Sequence, residues 1–168
     1  MAYNPADWHD FYVMTGGAAA ALTGLLFVAM SLHAKAIMEN RFYSNRAIGT
    51  LMSLTSQLLL SGAVLLPGQA TSLLGVEVEI VAIFFLAMTI RSVLTRGPAT
   101  GSAETRLGHQ LFELLGGGAW LVLFVAAGIS LIIGAGGGIY LLAAVMFFMF
   151  AWNVYIAWVL ITEVSETG

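Results

Sequence analysis

The chain has 168 residues, of which 60% are hydrophobic and only 9% are charged, a balance far from that of soluble globular domains. Its net charge of −3 is small, and its few basic residues form no stripe, which argues against nucleic acid as a partner. Since it has no cysteine, disulfide frameworks, thiol nucleophiles and cysteine metal sites are excluded.

Apolar stretches of membrane-spanning length run through the whole chain. A hydrocarbon core about 30 Å thick requires roughly 20 apolar helical residues. Five segments meet this requirement, at about residues 11–33, 47–66, 76–95, 110–134 and 139–162. The residues before the first segment lack the basic start of a signal peptide, so we expect that segment to stay in the mature protein. The sequence therefore predicts an all-α fold, a single transmembrane bundle over residues 1–168.

The loops between these segments predict their orientation. Pro67, Gly68 and Gln69 end the second segment, and the glycine-rich residues 134–138 predict a tight hairpin between the fourth and fifth. The basic residues all lie in or beside the loops after the first and third segments: Lys35, Arg41, Arg46, Arg91, Arg96 and Arg106. If the third segment crosses the membrane, both loops are on one side. The positive-inside rule then predicts an external N-terminus and a cytoplasmic C-terminus.

The first segment has a face with little side-chain bulk. Gly16, Ala20 and Gly24 follow one another at intervals of four residues, and small residues let helix backbones approach closely in lipid. They are therefore candidate helix-interface residues. The interface could lie within the chain, or between the subunits of a homo-oligomer.

The second segment carries a polar stripe. Thr50, Ser53, Gln57 and Ser61 are three or four residues apart, so they share one helix face. Asn153 on the fifth segment is the natural hydrogen-bond partner of Gln57 or Ser53. Two interpretations stay open: hydrogen bonds that hold helices together, or the wall of a water-filled path.

Ionisable groups are placed near the ends of the predicted spans. Glu77 and Glu79 lie at the outer side and Glu113 at the inner side, and we treat them as candidate interfacial carboxylates. The outer pair would either attract cations or form an ordinary solvated rim. Glu113 is expected to pair with Arg91 or Arg106, and a proton relay is the alternative.

No motif of a known catalytic centre is present. The sequence lacks a Gly-x-Ser-x-Gly elbow, a phosphate-binding glycine loop and a His-Glu-x-x-His pair. His9 and Asp10 are adjacent and do not have the spacing of a known metal site. We therefore predict no catalytic residue, no cofactor and no metal.

Part of the chain resembles a known group of proteins. The resemblance rests on the residues from Gly24 to Ser31, the basic and polar loop to Arg46 and Ala47, the residues from Leu65 to Gln69, and the run Gly75-Val76-Glu77. These are similar to a widespread group of small, uncharacterised bacterial membrane proteins, some of them labelled modulators of the FtsH membrane protease. The resemblance covers mainly the first half of the chain. It implies a bacterial inner membrane and supplies no active site.

These patterns predict a non-enzymatic protein of the lipid bilayer that associates with itself. It would act either as a pore whose path is lined by the second segment or as a helical scaffold. The alternative is an accessory or regulatory subunit of a larger membrane complex, such as a protease or a respiratory enzyme, docked through cytoplasmic loops. An intramembrane enzyme is the weakest interpretation, because no set of nucleophile, base and oxyanion donor is visible.

Overall fold

The structure, a computed structural model, describes residues 5–94 and 119–166. Helix accounts for 91% of these residues, and no strand occurs among them. A 3-10 turn at Pro5–Trp8 leads into the helices, which are α1 (His9–Leu32), α2 (Ala34–Glu39), α3 (Arg41–Val64), α4 (Thr71–Leu94), α5 (Ala119–Ile133) and α6 (Gly138–Glu166).

Four of these helices are long and apolar enough to cross a membrane. The qualifying segments are His9–Leu32, Tyr43–Val64, Thr71–Arg91 and Gly138–Glu163. Helices suit this environment because their backbone groups hydrogen-bond within the segment. The predicted all-α class is therefore confirmed, and four helices have the length and composition of membrane spans. Helix α5 is apolar but has only 15 residues, and residues 110–118 of the predicted fourth segment lie outside the described ranges, so the count of five spans stays a prediction.

The helices extend beyond the predicted spans. Helix α3 begins at Arg41, six residues before the predicted start, and α4 begins at Thr71, five residues before it. The prediction followed the apolar residues alone, whereas a helix can continue into the polar membrane interface. Long side chains such as that of Arg46 can then keep their charge in water while their stems cover apolar surface.

The described residues form two compact units, which are considered separately: residues 68–145, and residues 5–67 with 146–166. In the first unit, α4 and α5 pack with their backbones in close approach. A Cβ atom at Gly75 would lie 2.7 Å from Ile132 Cγ1 and 2.8 Å from the carbonyl oxygen of Gly128. Only glycine at position 75 allows this spacing, so the α4–α5 contact depends on it.

The turns of this unit are built by glycines in the left-handed region. Gly134, Gly136 and Gly137 have φ values of +73°, +88° and +77°, which L-residues with a side chain rarely adopt. The N–H groups of Gly134 and Ala135 both donate to the carbonyl of Ser130, a helix end of the Schellman type. A tight glycine turn is therefore present between α5 and α6, where the sequence predicts one, and the packing of the predicted fourth and fifth segments as antiparallel neighbours stays a prediction.

In the second unit, α3 runs antiparallel to α1 and α6. Thr15 near the start of α1 contacts Ser61 near the end of α3. At the other end, Ala47 of α3 packs with Leu160 of α6 and with Ile37 of α2 in one buried cluster. Helix α3 is therefore the central element of this unit, and its polar face is the one turned toward its neighbours.

Replacing Gly75 by alanine is expected to destabilise the protein by about 1–3 kcal/mol, because the new methyl group must push two helix backbones apart. Thermal unfolding in detergent, followed by circular dichroism, measures the loss. Gly49→Ala is the matched control, since nothing lies within 4 Å of a Cβ at that helical position, and its effect should be neutral or stabilising by up to about 1 kcal/mol. Equal effects of the two substitutions would contradict the close contact.

A buried polar column as the candidate functional site

The predicted polar stripe of the second segment is buried inside its own unit. We call Thr50, Ser53, Gln57 and Ser61 the polar column. Their side chains are between 1% and 9% exposed. The helical spacing that predicted a common face also explains their common burial, since residues three or four apart project from the same side of α3.

The part of the polar column nearer the start of α3 is bonded to α6. Asn153 Nδ2 donates a hydrogen bond of 2.8 Å to Ser53 Oγ, and Asn153 is 4% exposed. The sequence indicated either Gln57 or Ser53 as the partner of Asn153, and the structure has Ser53. This bond joins side chains one hundred positions apart and links α3 to α6.

The part of the polar column nearer the end of α3 is bonded to α1. Thr15 Oγ1 and Ser61 Oγ are 3.3 Å apart in a buried hydroxyl pair. Gly16 makes this approach possible, because a Cβ there would lie 2.9 Å from Ser61 Cβ. Sequence reasoning identified Gly16 but missed Thr15, although a hydroxyl beside the small residues of an apolar segment is a usable signal.

Thr50 and Gln57 differ from the two serines. Thr50 Oγ1 donates to the Arg46 carbonyl of its own helix at 2.9 Å, a local bond that satisfies the hydroxyl. Gln57 is 1% exposed, and neither its Nε2 nor its Oε1 has a hydrogen-bond partner among the described residues. An unpaired buried polar group costs about 1–3 kcal/mol, so Gln57 is the costly member of the polar column.

An ion pair lies next to the Thr50 end of the polar column. Arg46 Nη1 lies 3.7 Å from Glu163 Oε2, and both side chains are partly exposed. Such a pair contributes little to stability in water. It does place an α3–α6 contact two helical turns from the Ser53–Asn153 bond, so the two helices are tied at two heights.

The predicted small-residue face of α1 is partly buried and partly exposed. Gly16 is buried against Ser61, whereas Ala20 and Gly24 are exposed and no described atom lies within 4 Å of a Cβ at Gly24. Each step of four residues rotates the position by about 40° around the helix, so Gly24 is turned about 80° from Gly16. Gly17, which is also exposed, shares the outward face with Ala20 and Gly24.

The predicted interfacial carboxylates belong to the other compact unit or lie outside the described ranges. Glu77 Oε2 accepts a hydrogen bond of 2.7 Å from Gln69 Nε2 in the loop before α4. Glu79 instead lies against Gly128 of α5. Glu113 and the basic residues Arg96 and Arg106 are outside the described residues.

Neither a metal cluster nor a known relative directs the interpretation of these residues. Among the described residues, no group of three or more histidine, aspartate and glutamate side chains is placed to hold a metal ion. No protein-family model, curated protein or solved structure matches the chain.

Proposed function

We propose that this chain is a non-enzymatic membrane protein that associates with itself and acts as a helical scaffold. The observation that carries the proposal is the use of the polar column. Ser53 and Ser61 are both bonded to other helices of the same chain, and all members of the column are nearly inaccessible. Side chains that line a water-filled path need contact with water, so these contacts support packing rather than conduction.

The orientation is proposed from the distribution of charge. Basic residues of the described ranges are Lys35 in α2, Arg41 and Arg46 at the start of α3, and Arg91 near the end of α4. Five crossings would place all of them on one side of the membrane. The carboxylates Asp7, Asp10 and Glu77 would lie on the other, as the positive-inside rule expects for an external face. The resemblance to small bacterial membrane proteins suggests the inner membrane.

Self-association is proposed from the outward small-residue face of α1. Gly17, Ala20 and Gly24 are exposed, and nothing described lies within 4 Å of a Cβ at either glycine. Helices in lipid associate where small residues permit van der Waals contact between backbones. A second copy of the chain can therefore approach this face as closely as α3 approaches Gly16.

The proposed orientation predicts the labelling of single cysteines in intact cells. Asn45→Cys and Ser72→Cys are suitable because both positions are exposed in the first turns of their helices, and the natural chain, with no cysteine, supplies the background. A membrane-impermeant maleimide should label Ser72→Cys in intact cells and Asn45→Cys only after the cells are broken. The reverse pattern would refute an external N-terminus.

The scaffold proposal predicts energetic coupling between Ser53 and Asn153. Unfolding in detergent of Ser53→Ala, Asn153→Ala and the double variant should give a coupling free energy of about 0.6 to 1.7 kcal/mol, the range of interhelical hydrogen bonds in membranes. Ser56 is the matched control, because it bonds to Met52 of its own helix and should show no coupling to Asn153.

The same proteins in liposomes distinguish a scaffold from a pore. The natural chain should add no ion flux to that of protein-free vesicles, because the polar column is occupied by helix contacts. A flux that Gln57→Leu abolishes would establish conduction along α3. That result, or a coupling energy near zero for Ser53 and Asn153, would refute the scaffold proposal.

Self-association predicts that bulk on α1 separates the subunits. Gly24→Leu and Ala20→Leu should each weaken association by about ten-fold, equivalent to about 1.4 kcal/mol, because leucine prevents backbone contact. Energy transfer between labelled copies, measured at increasing lipid dilution, reports the equilibrium. Ala144→Leu is the control, since Ala144 is an exposed small residue of α6. Loss of association in that control as well, or a monomeric natural chain, would argue against the α1 interface.

A further inference from the structure

Glu79 is a carboxyl group placed within an apolar membrane-spanning segment. It belongs to Thr71–Arg91, which is long and apolar enough to cross a membrane. At 1.5 Å per helical residue, its Cα lies about 12 Å from the Thr71 end and about 18 Å from the Arg91 end. The whole segment is about as long as the hydrocarbon core is thick, so a span across the membrane would place Glu79 inside that core. Glu77 is nearer the outer edge, where it bonds to Gln69 in the loop before α4.

The carboxyl group occupies a notch in the neighbouring helix. A Cβ at Gly128 of α5 would collide with Glu79 Oε1, and it would lie 2.9 Å from Glu79 Cδ. The missing side chain at position 128 therefore provides the volume that the carboxyl fills. Gly75 and Glu79 are one helical turn apart on α4, so the close backbone contact and the carboxyl notch are parts of one interface.

Among the described residues, this notch holds no positive charge, and the backbone N–H of Ile129 is the group placed to stabilise a carboxylate. Glu79 Oε1 is buried and has no hydrogen-bond partner among the described residues. Residues 119–133 of α5 contain no ionisable side chain, and Tyr140, the one such residue in 138–145 of α6, is exposed. On α4 itself, Glu77 carries the same charge sign, and Arg91 is about 18 Å away along the helix.

An ionised carboxylate in this position would have its buried Oε1 desolvated and would face no countercharge among the described residues. One backbone hydrogen bond, from Ile129, offsets only part of this cost, so the neutral acid is favoured. We propose that Glu79 is a membrane-embedded proton-binding site, a carboxyl group held as the neutral acid in the Gly128 notch. The site is independent of the proposed self-association, because every contact that forms it lies within one chain. A protonated Glu79 within the membrane should react with a lipid-soluble carbodiimide.

The reaction requires the proton that the proposal places on Glu79. The acid adds across one C=N bond of dicyclohexylcarbodiimide: the carboxyl oxygen bonds to the central carbon and the proton passes to nitrogen. The resulting O-acylisourea rearranges by transfer of the acyl group from oxygen to nitrogen, which gives a stable N-acylurea. No atom leaves, so the labelled peptide gains the full mass of one carbodiimide. Water-exposed glutamates are ionised at neutral pH and do not start this reaction.

The test is labelling of the full-length protein in phosphatidylcholine vesicles at neutral pH, with the modified residue located by peptide mass spectrometry. Glu77 is the internal control, because it is two residues away and bonded to Gln69 in the loop. We expect at least about ten-fold more label on Glu79 than on Glu77, because the reaction needs a carboxyl group that keeps its proton at neutral pH. Glu79→Gln should abolish the label and Glu77→Gln should leave it unchanged.

Three results would overturn the proposal. They are equal labelling of Glu77 and Glu79, absence of label from Glu79 while the helical circular dichroism of the protein is intact, and protection of Glu79 when sodium replaces choline in the buffer. The last result would make the notch a metal-cation site instead of a proton site. Glu79→Gln keeps the shape of the neutral acid, so its helical signal serves as the check that the variant still folds.

Discussion

Close approach of helix backbones is the constraint on which both compact units depend. Lipid tails are as apolar as leucine side chains, so burial of apolar surface gives little drive for helices to associate in a membrane. In each unit, glycine instead removes a side chain that would separate two helices, at Gly16 opposite Ser61 and at Gly75 opposite Gly128. Bulky residues point outward on α1, α4 and α6: Phe27, Ile83 and Trp158 are each more than 60% exposed. The described helices therefore bury polar and small residues together with leucines such as Leu54 and Leu160, and many other large apolar side chains are exposed where lipid would lie.

Hydrogen bonds between polar side chains fix the register in which these helices pack. Van der Waals packing between apolar helices tolerates sliding, whereas the Ser53–Asn153 bond and the Ser61–Thr15 pair are satisfied only at one register of α3 against α6 and α1. Gln57 lies between them without a partner among the described residues, and its burial reduces stability. We infer that the polar column fixes the register of α3, with Ser53 and Ser61 supplying the favourable contacts.

Much of this arrangement could be predicted from sequence because it follows from short-range periodicity. Hydropathy located the helices, glycine and proline located the turns, and the spacing of Thr50 to Ser61 predicted a shared face. Contacts between distant positions were harder. Glycines are common in membrane helices, so nothing in the sequence indicated that Gly75 and Gly128 meet. The sequence predicts that Glu77 and Glu79 share the outer side of the third segment. Residues two positions apart on a helix point about 200° apart, however, and the two side chains have different neighbours: Gln69 for Glu77 and Gly128 for Glu79.

Gln57 and Glu79 both place a polar group in a buried position, but the free-energy cost of burial is reduced in different ways. A carboxamide keeps its dipole under all conditions, so the cost of burying Gln57 can be offset only by the packing and hydrogen bonds around it. A carboxyl group can discard its charge by taking up a proton, and the neutral acid fits a site with no countercharge. The contacts of the polar column should consequently hold under any ionic condition. The α4–α5 contact is different, because the Gly128 notch favours the neutral acid over the carboxylate, so the strength of that contact should depend on a proton.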